Sequence, residues 1–114
     1  MRTRLAALAL FAALSNTANA GARCREVTNA EWSALSVGWK GREAVAFASW
    51  CSSCKDKILA AIDREREFVL ISVFDEPSDS ERVLTKLGVR SECVYGDGLA
   101  KALGIKALPW SKAL

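Results

Sequence analysis

The sequence contains no histidine, and this absence narrows its chemistry more than any other feature of its composition. Without imidazole there is no Cys–His or Ser–His nucleophile pair, no His-ligated haem, and no zinc or copper site built on histidine. Methionine occurs once, at position 1, so a cysteine-based metal chaperone with a nearby thioether is disfavoured too. No metal and no cofactor is expected. An excess of one charge is also lacking, with 16 Lys and Arg against 13 Asp and Glu. Nothing marks a nucleic-acid surface or a polybasic membrane patch. The chain shows no internal repeat, low-complexity tract or long linker.

What is present begins with an export pattern. Arg2 and Arg4 form a positive start, residues 5–14 are ten consecutive apolar positions, and Ala18-Asn19-Ala20 fits the small-x-small cleavage rule. Residues 1–20 are expected to be a signal peptide that is removed. An uncleaved membrane anchor is the alternative, but ten apolar residues fall short of the roughly 20 that span a bilayer. A lipoprotein signal fits less well, because Arg23 precedes Cys24 where a small residue belongs. Cleavage leaves residues 21–114, one small domain with 14 basic and 13 acidic groups. Its destination would be the periplasm or the exterior, where disulfides persist.

All four cysteines, Cys24, Cys51, Cys54 and Cys93, lie in that domain. A zinc ribbon needs two close pairs, whereas here one CxxC is flanked by cysteines 27 residues before it and 39 after it. A bond within a CxxC closes a very short loop and constrains the unfolded chain little, so this pair is read as reactive. Cys24 and Cys93 are expected to form a structural disulfide. Lone thiols or an intermolecular link are the alternatives for them.

The order of elements places the CxxC. Residues 25–27 read as a short strand, and Thr28-x-x-Glu31 as a capping box opening a helix with Trp32 and Leu35 on one face, ended by Gly38 and Gly41. Residues 43–49 are apolar on both faces, as in a buried parallel strand. A helix is predicted over 52–67, with Ile58, Leu59 and Ile62 inward and Lys55, Lys57, Asp63 and Arg64 toward water. A second buried strand covers 68–73. Ser78-x-x-Glu81 is a further capping box, before a helix carrying Val83, Leu84 and Leu87 and capped by Gly88. Residues 93–95 form a strand, Asp97-Gly98 a turn, and 99–103 a short helix stopped at Gly104. The result is one α/β domain.

Cys51 then sits where a strand passes into a helix, and unpaired amides at a helix N-terminus favour a thiolate. Its pKa is expected below the roughly 8.5 of a free cysteine, which makes it the nucleophile. Cys54, nearly one turn on and on the same face, is placed to resolve a mixed disulfide. Trp50 would shape the partner groove beside the thiol, Trp32 reads as core, Trp39 as packing at the helix end, and Trp110 as groove lining or edge cover. A redox-inert disulfide is the alternative for the pair.

The segment Val45-Ala-Phe-Ala-Ser-Trp-Cys-Ser-Ser-Cys-Lys55 resembles the active-site strand and helix start of thioredoxins, and Leu103-Gly-Ile-Lys-Ala-Leu-Pro109 is similar to their segment leading to a cis-proline. Between these motifs, Ser72-Val-Phe-Asp75 through Gly104 resembles the exported TlpA and ResA branch. The resemblance spans most of residues 28–110 and implies a thioredoxin-like three-layer fold. It also implies substrate-facing Leu108 and Pro109, and disulfide exchange with protein thiols or disulfides in the periplasm, with a membrane protein as electron donor. A non-catalytic binding or redox-sensing domain is the alternative.

Three departures accompany it. Val45 stands where that superfamily has an acid or Asn, Ser52-Ser53 lacks the proline common between the cysteines, and the sequence ends five residues after Pro109, where the family continues with a hairpin and a helix. The last departure implies an incomplete domain, truncated after the cis-proline loop, which leaves a sheet edge open to self-association or an inactive fragment. Exported protein examined by intact mass is expected to begin at Gly21; retention of residues 1–20 would instead establish the membrane-anchored form.

Overall fold

The computed structural model describes residues 21–60, 64 and 67–114, so the signal-peptide reading and the expected roles of Ile62 and Asp63 lie outside the described residues. The elements are β1 (Arg25–Glu26), α1 (Asn29–Gly38), β2 (Glu43–Phe47), α2 (Ser52–Ala60), β3 (Phe68–Ser72), α3 (Pro77–Leu87), β4 (Glu92–Tyr95), α4 (Leu99–Leu103) and β5 (Trp110–Ala113). They build an α/β fold around a mixed sheet of order β1-β4-β3-β2-β5. The first four strands in that order run parallel, and β5 is antiparallel to β2. Among the described residues no helix is long and apolar enough to cross a membrane.

The continuous apolar runs of β2 and β3 follow from burial on both faces. Successive side chains alternate across the sheet, so Val45, Phe47, Phe68 and Leu70 enter one cluster while Ala44, Ala46, Val69 and Ile71 enter the other. The first cluster is covered by Cys54 and Ile58 of α2 and Leu84 of α3. On the opposite face lie Trp32 of α1, Leu99 of α4 and Ile105. Trp32, expected in the core, meets Trp39 there with ring centroids 6.1 Å apart in a tilted aromatic pair.

Local signals explain most helix ends. Thr28 Oγ1 accepts from Glu31 N and the Glu31 carboxylate accepts from Thr28 N, the reciprocal box expected at the start of α1. Gly88 ends α3 in the left-handed region at φ 73°, and the amides of Gly88 and Val89 return to Thr85 and Leu84 carbonyls. Only a residue without Cβ takes that conformation freely, and the turn carries Val89 into the core.

Three expectations are corrected. The second capping box does not form: Glu76 is the N-cap of α3, Pro77 takes its first turn, and Ser78 lies inside the helix. Glu81 accepts a hydrogen bond from Cys24 N instead. Helix α2 does not run to residue 67, since Arg64 and Glu67 lie in tighter 3₁₀ turns, and Leu59 is exposed. Lys55 and Lys57 keep part of their surface in water, as expected, and Lys57 Nζ also donates to Ser111 Oγ at 2.9 Å. The residues past Pro109, for which the sequence predicts no element, form β5, which pairs with β2. The register Ala46↔Trp110 packs the Trp110 ring into the second cluster.

Cys24 and Cys93 are joined in a disulfide, with a Cα–Cα distance of 4.5 Å. The parallel register Arg25↔Val94 makes them lateral neighbours, so the bond ties β1 to β4. Their sequence separation of 69 closes a long loop. Chain-entropy arguments give such a closure about 4 kcal/mol. A Cys24→Ser/Cys93→Ser protein is therefore expected to unfold at markedly lower urea, with a loss of that order by linear extrapolation; an unchanged midpoint would show that the sheet holds β1 without it.

Candidate active site

Parallel pairing of β2 and β3 places the segments that follow them side by side, because Phe47 pairs with Ser72 at the end of both strands and Val73 N donates to Phe47 O at 3.0 Å. The candidate site is built from these two segments. After β2 the chain passes through buried Ala48 and half-buried Ser49 to exposed Trp50, then turns, with Cys51 N donating to Ala48 O at 3.1 Å.

Cys51 immediately precedes α2, and its carbonyl accepts the first helical bond from Lys55 N at 3.4 Å. Its sulfur accepts from Cys54 N at 3.2 Å, so the cysteine performs the side-chain capping that Ser or Asp usually provides. Charge on that sulfur would meet unpaired helix amides, the arrangement that stabilises a thiolate. Cys51 and Cys54 are joined in a disulfide. Cys54 is fully buried, and Cys51 keeps 6% of its surface accessible, so an incoming sulfur meets Cys51 first.

The other sequence-predicted site residues divide. Leu108 packs against the cluster that contains Cys51 and Cys54, and the Leu108–Pro109 peptide is cis. Pro109 is exposed and belongs to neither core cluster. Trp50 is 62% exposed, and its indole Nε1 donates to Phe74 O at 3.0 Å. Val45 is buried in the Cys51–Cys54 cluster, whose members are all apolar or cysteine.

Three contributors had not been singled out from the sequence. Phe74 is 53% exposed and sits at φ 54°, a left-handed conformation that is rare for a bulky residue. Asp75 accepts from Ser49 N at 2.7 Å, Ser49 Oγ at 3.0 Å and Ser80 Oγ at 2.7 Å. Ser80, fully buried on α3, also shares a 2.7 Å hydrogen bond with Ser72 Oγ at the end of β3. Asp75 enters the sequence reading only within the Ser72–Asp75 segment of the resemblance, with no role assigned to it. The usable signal was an acid a few residues past the end of a buried apolar strand.

Partial burial works against the charge on Asp75, but hydrogen bonds from Ser49 N, Ser80 Oγ, Ser49 Oγ and Glu76 N outweigh it and hold the carboxyl below its ordinary value of 3.8. A depressed native pKa contributes stability that is fully present above the unfolded value and lost as pH falls through the native one. Thermal melts of the wild type and Asp75→Asn are therefore expected to differ at pH 6 and to converge as the pH drops through and below 3.8. A gap of constant size down to pH 2 would mean that the carboxylate charge contributes nothing. No protein-family model matches the chain, and no curated protein matches its sequence.

Proposed function

We propose that this protein is an exported, thioredoxin-like thiol–disulfide oxidoreductase that exchanges disulfides with partner proteins through Cys51 and Cys54. The observation that carries the reading is the capping geometry, in which Cys51 Sγ accepts from Cys54 N at 3.2 Å while Cys54 is fully buried behind it. Helices on both sheet faces, with the CxxC at a strand-to-helix junction and Leu108 packed on its cluster, are consistent with the thioredoxin resemblance.

In the reducing direction, the Cys51 thiolate attacks one sulfur of a partner disulfide. The Cys51–partner bond forms, the partner S–S bond breaks, and the first partner thiolate leaves. The Cys54 thiolate then attacks Cys51 Sγ, forming Cys51–Cys54 and expelling the second partner thiolate. Two electrons pass to the partner, and its thiolates take protons from solvent. A dithiol donor must reopen the Cys51–Cys54 bond for another cycle, and the reverse sequence oxidises a partner dithiol. Trp50 and Leu108 would flank the partner segment, and Pro109 is assigned to the same rim by the resemblance.

With dithiothreitol as donor, the wild type is expected to accelerate insulin disulfide reduction, and Cys51→Ser to return the rate to that of dithiothreitol alone. Equal rates for the two proteins would refute catalysis and leave a static disulfide in a binding domain. Cys54→Ser should accumulate a mixed disulfide through Cys51, detectable as a mass adduct.

A further inference from the structure

Asp75 touches neither cysteine in the hydrogen-bond pattern, yet it fastens the segment that delivers one of them. Its carboxylate holds both the amide and the hydroxyl of Ser49, two residues before Cys51. Ser80 anchors the same carboxylate to α3, and the buried Ser80–Ser72 hydrogen bond anchors that in turn to β3. The Trp50 Nε1–Phe74 O bond is a second, separate tie between the two loops. Such a chain of short hydrogen bonds, rooted in wholly buried Ser80, gives residues 49–51 little freedom relative to the sheet.

We propose that Asp75, braced by Ser80 and Ser72, is a positioning residue that sets the reduction potential of the Cys51–Cys54 pair. The proposal rests on the reading of that pair as redox-active. In the dithiol state, the tendency of the disulfide to close depends on the effective concentration of one sulfur at the other. Fixing residues 49–51 keeps Cys51 over the α2 N-terminus, within reach of Cys54, and so favours the disulfide. The carboxylate charge acts in the same direction. A fixed anion on the neighbouring loop disfavours a Cys51 thiolate, and with it the reduced state, relative to the neutral disulfide. Loss of Asp75 removes both effects, and both losses make the pair more oxidising.

The test is equilibration of the folded protein with dithiothreitol, in which one dithiothreitol gives up two electrons and two protons to become the cyclic disulfide while Cys51–Cys54 opens to two thiols. The redox state is read by alkylation and mass analysis of the peptide carrying Cys51, so Cys24–Cys93 is scored separately. For Asp75→Asn, the equilibrium constant for the disulfide is expected to fall about tenfold, equivalent to a rise of roughly 30 mV. Ser80→Ala, which keeps the charge but removes its brace, should shift in the same direction by less. A merely structural network would lower the melting temperature and leave the potential alone, so both are measured on each protein. Variants that fold but stay within twofold of the wild type, or shift the other way, overturn the proposal while the exchange reading stands. Failure of dithiothreitol to open Cys51–Cys54 in the folded wild type would instead remove the exchange reading, and the proposal with it. Should Asp75→Asn not fold, Ser80→Ala and Ser49→Ala decide by the same criterion.

Discussion

The parallel pairing of β2 with β3 is the constraint on which the candidate site depends. Five register pairs from Glu43↔Phe68 to Phe47↔Ser72 end both strands at one level, so the segment carrying Trp50 and Cys51 and the segment carrying Phe74 and Asp75 leave the sheet as neighbours. Slippage by one residue would turn every side chain of β2 to the opposite face and separate Ser49 from Asp75. Two-sided burial guards against that slip. Val45 and Phe47 need one cluster and Ala44 and Ala46 the other, and the small alanines face the layer that already holds Trp32 and Trp39. A one-residue shift would drive Phe47 into that filled space.

This dependence explains which parts were legible in the sequence. Strands β2 and β3 were readable because burial on both faces leaves an uninterrupted apolar run, and α1 because Thr28 and Glu31 make their capping contacts within four residues of chain. The CxxC was readable for the same reason: its geometry is local to one helix turn. Asp75 was not, since its partners Ser49 and Ser80 are 26 and 5 residues away and only the sheet brings the first of them near. Strand β5 was missed because Trp110-Ser-Lys-Ala has no alternating or continuous apolar pattern; it is ordered by the unpaired edge of β2 beside it. Ser78-x-x-Glu81 illustrates the opposite failure. A correct local pattern lost to Pro77, whose fixed φ suits the first helical turn, while Glu81 found a tertiary donor in Cys24 N.

Val45 alters where electrostatic influence on the pair can originate. Val45, Ile58, Phe68 and Leu70 surround Cys51 and Cys54, and among the described residues no carboxylate is buried, so the core side of the pair that they form is apolar. Fixed charge and oriented dipoles come instead from the loop side, where the α2 amides face Cys51 and the braced Asp75 carboxylate sits on the neighbouring segment. On the proposed reading, that arrangement moves control of the cysteines from a buried strand position to a surface loop.

On the proposed reading, the two disulfides divide stability from reactivity, although both belong to one core cluster. Cys24–Cys93 spans 69 residues and joins adjacent strands, whereas Cys51–Cys54 spans 3 and joins residues that the first turn of α2 already holds together. In the chain-entropy account the short loop restricts the unfolded chain far less than the long one. Opening Cys51–Cys54 therefore removes little of what holds the fold, and the β1–β4 tie persists through it. Burial does not separate the two bonds, since Cys24 and Cys51 are covered to nearly the same degree; the difference lies in the loop each closes and in the α2 amides that face Cys51 alone. On the proposed reading, a small domain that cycles the short disulfide keeps its fold through the long one, which ties β1 to β4 whether Cys51–Cys54 is open or closed.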